Sequence, residues 1–367
     1  MAVRYSYLSE QFGDCPELWE ELKRFVSTGD FTLGKPLYDF EKNFATLIGT
    51  NHAIGVNSGT DAIKIALRAL GVGVGDEVIT AANTFVATVG AIAEIGAIPV
   101  FVDVDETFCM NVELIERVIT AKTKAIVPVH FTGYMTKMNE VMKLAKKYKL
   151  IVVEDACQSI LAEWNGKKAG TWGDAAAFSL HPLKNLNVWS DGGVIVTNNS
   201  ELDKEIRLLR NHGLIDRDHV ELLGYNSRLD TFQAVVANWL LPQAKEISTK
   251  RILNAKKLDL ELSKIPQIKI PARAKNMRIV YHLYIVFAER RNELLKFCLD
   301  RGIEAKVHYP IPIYKQKALG NNYNSLQFPI TDFQAQNIIS FPCDQHLNDF
   351  QIQEITDSVK EFYGLRK

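Results

Sequence analysis

The 367-residue chain has no net charge, because 43 lysines and arginines balance 43 aspartates and glutamates. No global field therefore draws it to nucleic acid or to an anionic membrane surface. Long apolar runs are also missing, each being broken by charge or glycine, so neither a spanning helix nor a signal peptide is expected. Cysteine is scarce: five residues, at 15, 109, 157, 298 and 343, with no CxxC pair. That scatter predicts no structural disulfides and suits a reducing cytoplasm. Neither a Walker A loop nor a GxGxxG fingerprint occurs, and no fixed-period repeat or low-complexity tract is found. What is present is a 47% hydrophobic composition, enough for a large core and two domains.

From about residue 50 to 200, short β-rich runs alternate with helical patterns. Strands are expected at Ala53–Val56, Glu77–Thr80, Pro99–Val102, Ala125–Val129, Leu150–Val153 and Ala175–Leu180, with another apolar run at Val194–Val196. Helices are expected at Thr60–Leu70, Phe85–Ile95 and Met138–Tyr148, then at Glu201–Arg210 and Thr231–Leu240. Continuously apolar strands separated by helices predict an α/β fold, a mainly parallel sheet covered on both faces. A charged helical stretch over 246–263 leads to a second region with a strand at Tyr281–Phe287, a helix at Glu289–Arg301 and a closing helix at Asp349–Phe362. The expected division is residues 1–245, a large domain with its N-terminal segment, and residues 246–367, a small C-terminal domain.

Ligands of such sheets gather beyond the carboxyl ends of the strands. Three groups fall there. Asn57-Ser58-Gly59-Thr60 joins strand to helix, and the helix start offers unpaired N–H groups to an anion, although Ser, Thr and Asn are also ordinary helix caps. Glu154-Asp155-Ala156-Cys157-Gln158 ends a buried strand, where a carboxylate can pair with a cationic ring nitrogen or simply cap the next turn. Lys184 follows the run ending at Ser179-Leu180 and precedes another core strand, an unusual place for an ammonium. Partly desolvated, it would have a lowered pKa and could form an imine with a carbonyl. A phosphate grip, a lone carboxylate and an imine-forming lysine are together what pyridoxal phosphate (PLP) requires.

With these motifs in place the chain resembles the DegT/DnrJ/EryC1/StrS family of PLP-dependent sugar aminotransferases, from about Phe31 to its end. The matching stretches include Asn57 to Ala62, Asn83 to Thr88, Pro128-Val129-His130, Glu154 to Gln158, Ser179 to Gly193, Gly224 to Asp230, Arg301-Gly302-Ile303 and His308-Tyr309-Pro310. The resemblance implies an aspartate-aminotransferase-like fold (type I): a large α/β/α domain with a seven-stranded sheet, plus a smaller α/β domain. It implies that Lys184 binds PLP covalently, Asp155 holds the pyridine nitrogen protonated, and Gln158 bonds the phenolic oxygen. Gly59, Thr60 and Ser179 would grip the phosphate and Phe85 would stack on the ring. Asn226 would complete the neighbouring subunit's site in a homodimer, while His308 and Tyr309 would line the substrate pocket. For the last four side chains, core packing, a turn or an interdomain loop is the ordinary alternative.

The implied reaction moves an amino group from L-glutamate, or glutamine, to a nucleotide-linked 3-keto or 4-keto 6-deoxy hexose, as in amino-sugar biosynthesis for lipopolysaccharide or O-antigen. No metal is expected. The alternative acceptor is an eight-carbon keto-sugar acid of the 8-amino-3,8-dideoxy-octulosonate type, without a nucleotide. Two stretches leave room for it, Phe131-Thr132-Gly133 and the bulky Leu186 to Trp189, both placed near the expected substrate entrance. Cys157 also stands where relatives often carry alanine. Family members that dehydrate sugars have histidine at the lysine position, so Lys184 predicts transamination.

Overall fold

Each apolar strand distributes its side chains alternately to two cores, as a period of two requires. In Gly193–Thr197, Val194 and Val196 enter one core and Ile195 the other; in Ile151–Asp155, Val152 and Val153 divide the same way. The structure, a computed structural model, describes residues 2–320, 323 and 325–365. Among the described residues one sheet has seven strands, in the order His52–Val56, Gly193–Thr197, Ala175–Ser179, Ile151–Asp155, Thr123–Ile126, Glu77–Ala81, Ile98–Val102. Gly193–Thr197 runs antiparallel to its two neighbours and the remaining pairings are parallel. The expected mainly parallel sheet is what forms.

Helices cover both faces. Pro16–Thr28, Lys35–Ile48, Met138–Tyr148 and Thr231–Leu240 pack one side, through residues such as Leu22, Phe40, Val141 and Val236. Gly59–Ala69, Val86–Glu94 and Ser200–Arg210 pack the other, through Ile63, Ile92 and Ile206. This is the α/β/α arrangement, with strand ends at one rim of the sheet.

The expected strand Ala125–Val129 stops at Ile126 in the sheet. Pro128 has no N–H to give the ladder, so regular pairing lapses and resumes only as a bridge between Val129 and Asp155. A second core gathers Leu258, Tyr284, Val286, Leu294, Ile339 and Ile355 around a small sheet of Ile268–Lys269, Tyr284–Ala288 and Ile338–Phe341. It also takes in Val3 and Tyr7 from the N-terminus and Phe131 and Tyr134 from the large sheet's rim. We propose a division near residue 245, where the helix Ala244–Leu262 begins. The later chain nonetheless returns to the large sheet: Asp103 accepts the N–H groups of Ile330 and Thr331, each at 2.9 Å. Among the described residues no helix is long and apolar enough to cross a membrane.

Candidate active site

The first strand delivers the anion cradle. Ser58 caps the helix Gly59–Ala69, its Oγ accepting the Asp61 N–H at 3.1 Å, so the ordinary capping role belongs to Ser58. Gly59 and Thr60 are left in the helix's first turn, where backbone N–H groups have no helical partner. Gly59 is required by space: a Cβ there would lie 2.8 Å from the Cβ of Ser179 and 2.9 Å from Cys157 Sγ. Three strand ends distant in sequence therefore converge on one small concavity.

Asp155 is buried at the end of its strand. Its Oδ2 accepts from the Thr88 hydroxyl at 2.7 Å, and its Oδ1 accepts the Cys157 N–H at 3.2 Å. Thr88 Oγ1 in turn lies 2.8 Å from Thr84 Oγ1. The local turn bond to Cys157 is the capping role foreseen as an alternative; the bond from Thr88 is tertiary and fixes where the carboxylate points. Glu154 turns to the opposite face, as alternation demands. It accepts from Trp172 N at 2.7 Å, Gly173 N at 2.9 Å, Gly170 N at 3.0 Å and His130 Nε2 at 2.9 Å. Burial pushes its carboxyl up, but those donors outweigh it and hold the pKa below the usual carboxylate value.

Gln158 is buried, and its Oε1 accepts the Thr132 N–H at 2.7 Å. That bond orients the amide and leaves Nε2 as the donor, the polarity needed to meet an anionic phenolic oxygen. Thr132 holds a φ of 61°, unfavourable for a β-branched residue, and its Oγ1 is buried without a hydrogen-bond partner among the described residues. Beside them stands an aromatic wall. The Tyr309 ring lies 5.9 Å from Phe85 and 6.0 Å from Phe131. Burial pushes the Tyr309 phenol up, the Asp155 charge adds to this, and Gln158 opposes it. Phe85 itself is 49% exposed, so core packing is not its role.

Both stretches placed near the substrate entrance are largely buried, as Asp155 and Gln158 are, and the Thr132 N–H is bonded to Gln158. Phe131, Thr132 and Gly133 are enclosed against the segment 280–283, with Leu283 N donating to Thr132 O at 3.2 Å. Leu186, Asn187 and Val188 are buried too, and Trp189 packs 5.8 Å from Phe12 and 6.0 Å from Phe232. Trp189 thereby packs beneath the N-terminal helices.

Lys184 sits half-buried in the loop between the strands ending at Ser179 and beginning at Gly193. Burial lowers its pKa, while Cys157 and Asp155 partly oppose that shift. His181 accepts the Leu183 N–H on Nδ1 at 3.2 Å, which leaves its proton on Nε2. Burial and the Lys184 charge lower the pKa of His181 and, more strongly, of His282. Neither histidine was given a role from the sequence, and Thr88 and Thr132 were named there only within the stretches Asn83 to Thr88 and Phe131 to Gly133. Thr88 did carry a signal, a hydroxyl on an apolar helix face. His308 is half-buried, its Nδ1 2.8 Å from Ser340 Oγ; burial, then Lys306 and Lys184, bring its pKa down to about 4. Asn226 stands apart, exposed on the loop before Thr231–Leu240.

A mainly parallel sheet with a buried, oriented aspartate at its rim and a lysine in the loop after the next strand suits a PLP enzyme of fold type I. The residues fit that cofactor: the Gly59 concavity has no room for a Cβ, and Asp155 and the Gln158 amide are already oriented. The DegT/DnrJ/EryC1/StrS aminotransferase family model matches residues 15–360, and the chain belongs to that family. A protein of Geobacillus stearothermophilus named a pleiotropic regulatory protein is 39% identical over 361 residues, covering 97% of each chain. The dTDP-3-amino-3,4,6-trideoxy-alpha-D-glucose transaminase of Streptomyces venezuelae is 37% identical over 361 residues, covering 96% of this chain and 95% of that one. The crystal structure of NtdA from Bacillus subtilis, with bound cofactor PMP, superposes with a TM-score of 0.92 at 29% identity, covering 98% of this chain and 85% of that one.

Thr88 provides a direct test of how Asp155 is held. Thr88→Val keeps the shape and deletes the hydroxyl, so PLP retention is expected to weaken about threefold to tenfold. Loss of cofactor absorbance on dialysis measures it; unchanged retention would mean that Asp155 does not need this bond.

Proposed function

We propose that this aminotransferase moves the amino group of L-glutamate to a nucleotide-linked 3-keto or 4-keto 6-deoxy hexose. The observation that supports the chemistry is a buried Asp155, fixed by Thr88, at the strand ends whose following loop carries Lys184. What supports the substrate class is the likeness to a transaminase named for a dTDP-linked amino sugar. Other relatives named for dTDP-linked amino sugars likewise support a nucleotide-linked acceptor over an eight-carbon sugar acid.

When bound, PLP supplies an electron sink and stores the amino group between the two half-reactions. Gly59, Thr60 and Ser179 would hold its phosphate, Phe85 would cover its ring and Gln158 Nε2 would donate to its phenolic oxygen. Asp155, held by Thr88, would keep a proton on the pyridine nitrogen. Lys184, once its amine is free, takes a proton from the donor's α-carbon and returns one during the second half-reaction. Its lowered pKa raises the neutral fraction that can do so. His308 and Tyr309 would border the acceptor sugar.

The working unit in this proposal is a homodimer in which Asn226 reaches the partner's phosphate site. Its surroundings suit an interface: Leu223, Val220 and Ile215 on the same loop are exposed apolar residues, Leu223 at 82%. Asn226→Ala is expected to weaken PLP retention by about 1–3 kcal/mol. In mixed dimers, a chain carrying both Lys184→Ala and Asn226→Ala, paired with wild type, should lose its own site and weaken PLP retention in the wild-type chain's site by the same amount, about 1–3 kcal/mol. An intact site in such dimers refutes the sharing. The five cysteines, all free, support a cytoplasmic setting.

The deciding experiment loads the enzyme with amino groups, then offers a nucleotide-linked keto hexose or the eight-carbon keto acid. Return of the PLP absorbance with the nucleotide sugar is the expected result. Return with the sugar acid alone overturns the substrate assignment and keeps the transaminase. A protein that binds PLP but turns over with neither would point to a regulatory role.

A further inference from the structure

The N-terminal arm precedes the matched family region, which begins at residue 15. It is nonetheless clamped to the segment leading into His308. Val3 N donates to Gly302 O at 2.8 Å, and Glu304 N returns a bond to Val3 O at 2.9 Å. Tyr5 N then donates to Glu304 Oε2 at 2.7 Å. This registration sets the Tyr5 ring 5.8 Å from the His308 ring, with Lys306 Nζ 4.5 Å from the Tyr5 centroid. Ring contacts continue inward, His308 to Tyr309 at 5.5 Å and Tyr309 to Phe85 at 5.9 Å. The arm thus joins the site through an unbroken series of aromatic contacts.

Two polar groups on this route are unresolved by the reaction scheme. The Tyr5 hydroxyl is buried without a hydrogen-bond partner among the described residues, and the Ser340 hydroxyl lies beside it. Ser340 is fully buried and its backbone is tied both ways to Lys306, at 2.8 and 2.9 Å. Only its hydroxyl rotor remains free, and that oxygen is 2.8 Å from His308 Nδ1. A serine hydroxyl has one proton to give. A slight turn of Tyr5 lets the phenol donate to Ser340 Oγ; this frees the serine proton for His308 Nδ1 and favours the tautomer with the imidazole proton on Nε2.

We propose that Tyr5 is a positioning residue that sets the tautomer and orientation of His308 through Ser340, and so shapes the acceptor side of the site from outside it. The inference rests on the aminotransferase reading and on His308 bordering the acceptor sugar. Tyr5→Phe separates the hydroxyl from the ring packing. In the full-length, PLP-loaded enzyme, Tyr5→Phe is expected to raise the acceptor KM about threefold to tenfold, the worth of one net hydrogen bond. The donor half-reaction and the melting temperature should be unchanged. Ser340→Ala should do the same, the pair together no more than either alone, and neither change should matter in a His308→Gln background.

Nitrogen NMR of histidine-labelled protein supplies a readout independent of activity. His308, identified by its loss in His308→Gln, should carry its proton on Nε2 in wild type and become a mixture in Tyr5→Phe. An unchanged tautomer and acceptor KM in Tyr5→Phe overturns the proposal. An equal loss in both half-reactions with a lowered melting temperature also overturns it, because that is a structural effect. If the wild type aminates no keto sugar, the aminotransferase reading fails, and the tautomer comparison still decides whether Tyr5 governs His308.

Discussion

Lys184→Ala is expected to lower amino transfer by at least about 10³-fold, because in the proposed mechanism one amine both holds the cofactor and moves the protons. The same substitution should leave the fold intact or firmer. Burial is the largest influence on the Lys184 ammonium, lowering its pKa, and its charge depresses His181 and His282. Removing it takes a costly cation from a site where two more bases lie close by. The cofactor-free variant should therefore melt no lower than wild type, and the two histidines should titrate higher. Borohydride reduction of the PLP-loaded wild type, followed by peptide mapping, checks the assignment separately. A label on any other lysine would falsify it.

The position of Lys184 was legible because an ammonium between two core strands conflicts with its surroundings. The same logic exposed Asp155 and Glu154, and the period of two correctly separated them onto opposite faces. Helix and strand limits were readable wherever the hydrophobic pattern was regular: Met138–Tyr148, Thr231–Leu240 and Asp349–Phe362 form as expected. Ile338–Phe341 was missed, since a four-residue strand following directly on the helix Pro329–Asn337 leaves no turn signal between them. The partners of the proposed cofactor-binding groups were harder to see. Thr88 lies 67 residues from Asp155, and Thr132 lies 26 from Gln158, contacts that only chain topology brings about. Leu186 to Trp189 was expected near the substrate entrance, and what the sequence did not show is that Trp189 packs on aromatic side chains of the N-terminal helices. Local sequence shows that a large residue must pack; it does not show against what.

Glu154 carries the largest stability effect. Thr136 N donates to His130 Nδ1 at 3.2 Å, so the imidazole proton is on Nε2 and points at the carboxylate. Glu154 is thus a buried anion satisfied by one imidazole and three backbone N–H groups, which tie the strand ending at Asp155 to residues 170–173. Glu154→Leu removes every acceptor and strands four buried donors, an expected loss of at least about 3–5 kcal/mol at about 1–3 kcal/mol for each buried group left unpaired. Glu154→Gln keeps one oxygen but turns an NH₂ toward N–H groups, and should cost about 1–3 kcal/mol. Urea unfolding of the two variants measures both. The sign with pH follows from a folded pKa lying below the unfolded value. The contribution of Glu154 is complete above its ordinary value of 4.5 and is lost as pH falls through the lower native one. Wild type should therefore lose stability on acidification faster than Glu154→Gln, and the two curves should converge. Parallel curves across that range would mean that the carboxylate is not the charged anchor its four donors imply.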